Sequence, residues 1–417
     1  MKLSADFVDP SLYDDYRLSH VPGTVLSMLT GERSPDILPP DALKGLYRDY
    51  DQVLLFLVDG FGWTEFSRLA ARLPFMQQLV ARGATLKLVS QFPSTTACNV
   101  TTLNTGLSVA NHGLYEWFYY EPKVDDIIAP LLYSYAREQK IRGTLNLACN
   151  VGPKDLYPAT NIYQKLASLG IQSFAFQNIE YAESTYSEFI LRPATIKGFE
   201  NARSGLAALA RTVARTPGKA YFYFYYDGID LALHHDGPGS IGVKAAVDEF
   251  FKALEAFWKT LEDQGGTEDI AFILTADHGQ TAIDPSRTIY LNQAVQDLEP
   301  HLKRNRKGRL LVPAGSCRDM FLYIREEAME EACALLQEKL VDRAIVCPTA
   351  DLIRAGYFGR SDLSEALQGR LGNLVVLPLD GESVWWYVPG VFEVGLNGHH
   401  GGLTPAEMEI PFLIWTR

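Results

Sequence analysis

At 417 residues, with 47% hydrophobic and 21% charged side chains, the chain has the composition of a globular protein large enough for two domains or for one large domain with an insertion. No stretch reaches the roughly 20 consecutive apolar residues of a membrane span, and the opening MKLSADFVDP lacks the apolar run and cleavage site of a secretory signal, so no membrane partner and a cytoplasmic location are expected. A formal net charge of −12 argues against a nucleic-acid polymer, which needs clustered Lys and Arg, but leaves room for a small phosphorylated substrate whose charge is met by bound cations.

In chain order, Gln52 to Val58 (QVLLFLV) is a short apolar run ending in Asp59-Gly60, the pattern of a strand buried on both faces of a parallel sheet. Phe66, Leu69, Leu73, Met76 and Val80 keep helical spacing, with a kink or restart at Pro74 and a stop at Gly83. A strand is expected from Thr85 to Val89. The alternation returns with a helix Ile162 to Leu169 before a strand Gln172 to Phe176, and a helix Arg203 to Val213 before an aromatic strand Ala220 to Tyr226. Val247, Phe250, Phe251, Leu254, Phe257, Trp258 and Leu261 trace one helical face that leads into a buried strand, Ile270 to Thr275. This is an α/β framework. From 291 to 395 the pattern changes: a basic loop Lys303 to Arg309, strands at Met320 to Ile324, Ala344 to Cys347, Leu374 to Leu377 and Val384 to Tyr387, and a helix Glu326 to Leu340. That segment reads as a small α+β cap inserted into a core of 1–290 and 396–417. Five cysteines, Cys98, Cys149, Cys317, Cys333 and Cys347, form no CxxC pair and read as reduced core thiols.

Of eight histidines, five fall in three short segments: His234 and His235, His278, and His399 and His400. Asp230 and His234 are four apart, which puts a carboxylate and an imidazole on one side of a helical turn. Asp277-His278-Gly279 ends a buried strand, where neighbouring side chains can converge in a non-helical turn, and His400 stands among glycines that allow close approach of backbone to an ion. With Asp59 these make a mixed nitrogen and oxygen ligand set suited to zinc first and to manganese or iron next. His235 and His399 are set aside as exposed or supporting residues, and Asp227 and Asp236 as worse spaced than Asp230. Phe92-Pro93-Ser94-Thr95-Thr96 precedes a predicted helix, so a hydroxyl near position 96 would meet the free amides and positive dipole end that favour phosphate. Coordination to a metal would turn such a hydroxyl into a nucleophile.

Taken in order, these segments resemble the alkaline phosphatase superfamily and, within it, the type I phosphodiesterase/nucleotide pyrophosphatase family. The likeness rests on Val58-Asp59-Gly60, Phe92 to Thr96, Thr105-Gly106 with Asn111-His112-Gly113, Asp230 with His234, Gly237 and Pro238, Asp277-His278-Gly279, and His400-Gly401. The resemblance implies a three-layer sandwich around a mostly parallel sheet. It implies Asp230, His234 and His400 around one divalent ion and Asp59, Asp277 and His278 around a second. Thr96 would contact both ions, attack phosphorus and form a phosphothreonine that water hydrolyses. Hydrolysis of a phosphodiester or pyrophosphate bond is the leading expectation. A phosphomonoesterase or phosphonate hydrolase is the nearest rival, and a non-catalytic metal- or nucleotide-binding protein is the alternative of another class. One departure stands out: Glu116-Trp117 occupies the place where nucleotide pyrophosphatases carry an Asn that holds a phosphate oxygen, and a carboxylate there repels a diester unless protonated. Glu116 and Trp117 are therefore candidate substrate-binding residues. Among the neighbouring aromatics, Tyr115, Phe118, Tyr119 and Tyr120 read as core or as a stacking surface.

Overall fold

The computed structural model describes residues 3–13, 15–148, 151–265, 269–359 and 361–416; Cys149 lies outside them. A seven-stranded sheet runs through the middle. Its strands are β1 (Gln52–Val58), β2 (Ala84–Val89), β3 (Gln172–Asn178), β4 (Thr195–Phe199), β5 (Ala220–Tyr226), β6 (Ile270–Thr275) and β7 (Glu409–Trp415), in the order β2-β7-β6-β1-β5-β3-β4. β1 pairs in parallel with β5 and β6, and β3 with β5 and β4, whereas β7 is antiparallel to both of its neighbours. The strands read from apolar runs are the central ones. Every residue of β1 and of β6 is buried, as required of strands covered on both faces.

The alternation of side chains along β5 sorts those two faces. Phe224 points at one helical layer, its ring 4.9 Å from Phe199 and its edge against Gly205 of the helix Ala202–Arg215. Tyr221 points at the other, its ring 6.0 Å from Tyr163 in the helix Ile162–Ser168. The long helix Ile241–Gln264 presents the apolar face seen in the sequence, with Phe257 edge-on to Phe56 of β1 and Trp258 edge-on to Phe272 of β6. Helices on both sides of the sheet make three layers. At Pro74 the chain restarts instead of kinking: Trp63–Arg72 ends, Leu73 is extended, and Pro74–Arg82 begins, because the residue before proline disfavours the helical region.

Two central-sheet strands carry no clear signal in the sequence. β4 is a short edge strand holding Lys197 and Gly198. β7 contains Pro411, which argues against an interior strand, yet its ladder with β6 begins only at Phe412 opposite Thr275. Within 291–395 the expected elements form. Met320–Leu322, Leu374–Pro378 and Ala344–Pro348 make an antiparallel sheet with Leu374–Pro378 in the middle, beside the helix Met329–Lys339. The strand Val384–Trp385 pairs with Ile289–Tyr290. Tyr119–Glu121, Asp126–Ala129 and Ser134–Tyr135 form a further small sheet that the aromatic run did not announce. Cys98, Cys317 and Cys347 are buried and Cys333 partly so, all as free thiols. Among the described residues no helix is long and apolar enough to cross a membrane.

Two buried ion pairs link distant parts of the chain. Arg318 donates from Nε and Nη2 to the two carboxylate oxygens of Glu407, each at 3.0 Å, with both side chains fully buried. Arg370 donates to Glu121 at 2.8 Å. Removing one partner strands the other charge, so Arg318→Met is expected to lower unfolding free energy by about 3–5 kcal/mol. Replacing exposed Arg48, which pairs with Asp269 at 3.3 Å, should cost no more than about 1 kcal/mol. Urea unfolding of the two variants measures the contrast; equal losses would contradict it.

Candidate active site

Adjacent parallel strands deliver their carboxyl ends to one edge of the sheet, where ligands gather in open α/β folds. Asp59 follows β1, Asp277 and His278 follow β6, and after β5 the helix Gly228–Asp236 carries Asp230 and His234. Gly60 makes the crowding possible. It has φ +69, and a Cβ there would lie 2.9 Å from Asp230 Oδ1 and 3.0 Å from Asp230 Cα, so only glycine admits that helix. The Gly60 amide also donates to Asp277 Oδ1 at 3.2 Å.

His400 arrives on a loop laced to the segment before Thr96. Its Nδ1 lies 3.0 Å from the Ser94 carbonyl, the Gly401 amide donates to Ser94 Oγ at 3.2 Å, and Ser94 Oγ donates to the Gly402 carbonyl at 2.8 Å. Gly401 has φ +124, and a Cβ on it would meet Ser316 Oγ at 2.4 Å. Beneath the loop, Glu407 accepts from the Gly402 amide at 3.0 Å while holding Arg318, so one buried ion pair supports the position of His400.

All three histidines are turned the same way. Nδ1 of His234 lies 2.7 Å from the Gly398 carbonyl, Nδ1 of His278 lies 3.1 Å from that of Gly279, and Nδ1 of His400 faces that of Ser94. A carbonyl only accepts, so each Nδ1 carries the proton and each Nε2 is left with a lone pair, the tautomer of a metal ligand. His278 Nε2 lies 3.4 Å from Asp59 Oδ1, 3.4 Å from Asp277 Oδ2 and 3.1 Å from Thr96 Oγ1. The rings of His278 and His400 stack at 3.6 Å, and His234 Nε2 is 3.4 Å from Asp230 Oδ2. Single ligand atoms of Asp59, Asp277 and His278 fall within 4.8 Å of one another, as do those of Asp230, His278 and His400. His278 thus reaches into both groups, and His234 adjoins the second through Asp230.

The electrostatics show what the cluster lacks. Burial pushes Asp59 well above the usual carboxylate range, and the charges of Asp277 and Asp230 push it further. Burial raises Asp277 as well, and it pulls His400 far down with help from His278 and His234. Asp59 Oδ1 and Asp277 Oδ2 are buried with no hydrogen-bond partner. Orphaned carboxylate oxygens facing imidazole lone pairs fit divalent cations.

Thr95 and Thr96 are separated by use. Thr95 caps the helix Thr96–Thr105, and its hydroxyl donates to the Tyr115 carbonyl at 3.1 Å. Thr96, at the first helical position, keeps its hydroxyl for the site. A cleft of about 450 Å³ opens there, lined by Thr96, Glu116 and Trp117 among others. Tyr115, Phe118 and Tyr119 are core; Trp117 is the aromatic of that run that is exposed within the cleft. Glu116 is fully buried, accepts the Trp117 amide through Oε2, and leaves Oε1 unpartnered. Burial raises it to about 8, against the opposing effects of Asp319 and the Trp117 amide, which lower it. Asp319, more than two hundred positions away, is raised in turn by burial and by Glu116, so the two carboxyls hold a proton into the neutral range.

The sequence reading missed several supports. Tyr225 donates its hydroxyl to Asp59 Oδ2, and Gln280 donates its amide to the Asp230 side chain and carbonyl. Gln280 sits two residues after His278 and Tyr225 near the end of β5, five residues before Asp230, and that nearness to the motifs is the signal that could have found them. His235 is exposed. His399 and Asp227, set aside from the sequence, line the cleft. His399 Nε2 is buried without a partner, and burial together with His234 and Arg318 lowers the ring to about 3.

Residues 53–401 match the sequence profile of the family described as Type I phosphodiesterase / nucleotide pyrophosphatase. The chain belongs to that family. It is accordingly a phosphodiesterase/pyrophosphatase hydrolase of the alkaline phosphatase superfamily, a two-metal type of enzyme. Among solved structures, murine ectonucleotide pyrophosphatase / phosphodiesterase 5, inactivated by a threonine-to-alanine change and in complex with AMP, superposes with TM-score 0.64 at 18% identity over 87% of each chain. The human ectonucleotide pyrophosphatase / phosphodiesterase 5 superposes with TM-score 0.63 at 19% identity, again over 87% of each chain. At such identities the likeness speaks for the fold, and this chain shares the alkaline-phosphatase-like architecture.

Binding of cations to the folded state alone stabilises it by mass action. Protein stripped by a chelator is expected to melt at higher temperature when Zn²⁺ is restored, and Asp277→Asn to lose most of that gain. The metal-free protein adds a pH signature. Asp59 and Asp277 have folded pKa values above their unfolded ones, so their contribution is full below the unfolded range near about pH 4 and is lost as pH rises. Thermal melts of the stripped protein should therefore fall as pH rises above about 4, and saturating Zn²⁺ should flatten the profile. A profile equally steep with metal would contradict a cation site at these carboxylates.

Proposed function

We propose that the chain cleaves phosphodiester or pyrophosphate bonds with Thr96 as nucleophile, Asp230, His234 and His400 holding one zinc ion, and Asp59, Asp277 and His278 holding the other. The observation that carries the reading is Thr96 Oγ1, at a helix N-terminus, 3.1 Å from Nε2 of His278, the residue common to both groups of close ligand atoms. The inactivity of the murine relative's threonine-to-alanine form supports the same role for Thr96. Zinc is favoured by a set of three imidazoles and three carboxylates.

The first amides of the helix Thr96–Thr105 point their dipole at the phosphoryl group and steady its charge. Two cations bound there would neutralise the non-bridging oxygens and acidify the Thr96 hydroxyl. Thr96 then attacks phosphorus in line with the leaving group, the leaving oxygen departs, and water cleaves the phosphothreonine to free the nucleophile. Residues 315–317, Trp385 and 391–396 wall the cleft, which supports a role for the 291–395 segment, our proposed cap, in choosing the leaving group. Four free thiols support a reducing, cytoplasmic setting as part of this proposal.

Thr96→Ala is expected to lower kcat on an aryl phosphodiester by a factor of about 10³ or more, with metal content unchanged. Undiminished turnover sinks the covalent route, and a wild type inert on every ester favours the binding-protein alternative. Aryl monoesters and diesters assayed side by side separate the phosphomonoesterase alternative, which a strong monoester preference would establish. Glu116 adds a second expectation. Held at about 8, it is neutral at pH 7 and becomes an anion beside an anionic substrate as pH rises past that value. KM should therefore climb above pH 8 in the wild type, and in Glu116→Gln it should stay level; parallel profiles would remove Glu116 from substrate binding.

A further inference from the structure

Resting on the ester-hydrolase reading above, we propose that the organic group on the substrate phosphate is an apolar, uncharged substituent and not a nucleoside polyphosphate. The lining of the cleft beside Thr96 includes the apolar residues Trp117, Leu132, Leu231, Val391, Phe392 and Val394. Phe392 is buried and packs edge-on against Phe118, which in turn lies against Trp117. Trp117 and Leu231 remain 36% and 46% exposed, as large apolar side chains that face the cleft and not the core. Across the cleft, the segments that carry Arg142 and Tyr181 are tied together where Arg142 donates to the Glu180 carbonyl. An apolar lining of this kind marks a binding site for an apolar group.

Charge points the same way. Among the described residues, Arg142 is the one cationic residue lining the cleft apart from the histidines. Its guanidinium is already engaged, 5.1 Å over the Tyr181 ring and 3.7 Å from Glu180 Oε2. Asp227 and Glu393 line the same cleft. Among the described residues, a chain of phosphates beyond the one at Thr96 would find carboxylates and no free cation, which a polyphosphate site has to supply. An apolar substituent has no such need and removes the wall from water.

The test is a series of p-nitrophenyl diesters of methyl, butyl and octyl phosphate, set against the p-nitrophenyl ester of thymidine 5′-phosphate, with zinc-loaded enzyme. The expected result is a fall in KM on the order of tenfold or more from methyl to octyl, with octyl preferred to thymidine and octyl phosphate inhibiting better than ATP. Leu231→Glu, at an exposed position whose fold is verified by its melting temperature, should draw the octyl-to-methyl ratio of kcat/KM toward one. A flat chain-length series, a preference for the thymidine ester, or an unchanged ratio in the variant overturns the inference while leaving ester hydrolysis standing. If no ester is hydrolysed, the catalytic reading falls instead, and calorimetric binding of octyl against methyl phosphate to the zinc-loaded protein decides the pocket: equal affinity overturns the proposal.

Discussion

Three carboxylates brought into one dry corner dominate this structure. Asp59 and Asp277 sit at the ends of β1 and β6 and Asp230 on the helix that follows β5, three strands that are neighbours in the sheet; the charges of Asp277 and Asp230 raise Asp59, and that of Asp230 raises Asp277. Nearby groups relieve little of it. Tyr225, Gln280 and the Gly60 amide each donate a hydrogen bond, and none brings a full positive charge. An isolated buried anion costs several kcal/mol even after relaxation, so the cluster is coherent only as half of an ionic assembly, with cations as the other half. The imidazoles fit that demand, because their protons are committed to backbone carbonyls and their remaining nitrogens are neutral donors.

Holding such a cluster together before the cations arrive requires rigidity from elsewhere. Glycine at 60 lets the Asp230 helix close against β1, and glycine at 401 lets the His400 loop pass between Ser316 and Asp319. The loop is then fastened on both sides, to Ser94 above and through Glu407 to Arg318 below. The Arg318–Glu407 pair is costly to bury, and its use here is positional: it carries constraint from the 291–395 segment to a ligand. Hydrogen bonds of this kind, one step removed from the ion, fix the orientation of the groups that would hold it.

The parts legible in the sequence are those set by local pattern. β1, β5 and β6 announce themselves because burial on both faces demands unbroken apolar runs, and the ligands follow because they stand at the ends of those runs. The Asp230–His234 spacing is a property of one helical turn. What escaped depends on partners far away in the chain. β7 is interior despite Pro411 because its ladder with β6 starts one residue later. Glu116 looked like a repulsive carboxylate until the fold buried it completely, which raises it to about 8. The choice of Thr96 over Thr95 came from the family likeness, and the physical reason came from the fold, which spends the Thr95 hydroxyl on the Tyr115 carbonyl.

An acidic protein that handles anionic esters looks self-defeating until the scale of the interactions is considered. The net charge of −12 is spread over a surface where salt screens it within about 8–10 Å. At Thr96 the relevant charges lie within a few ångströms, in a cleft whose apolar walls keep the local dielectric low. There a helix N-terminus and two cation positions outweigh the distant surface, and the carboxyl of Glu116, which lines the cleft, is kept neutral by burial. The same walls that favour an apolar substituent therefore strengthen the electrostatics of the phosphoryl site, so that specificity and catalysis draw on one property of the cleft, its exclusion of water.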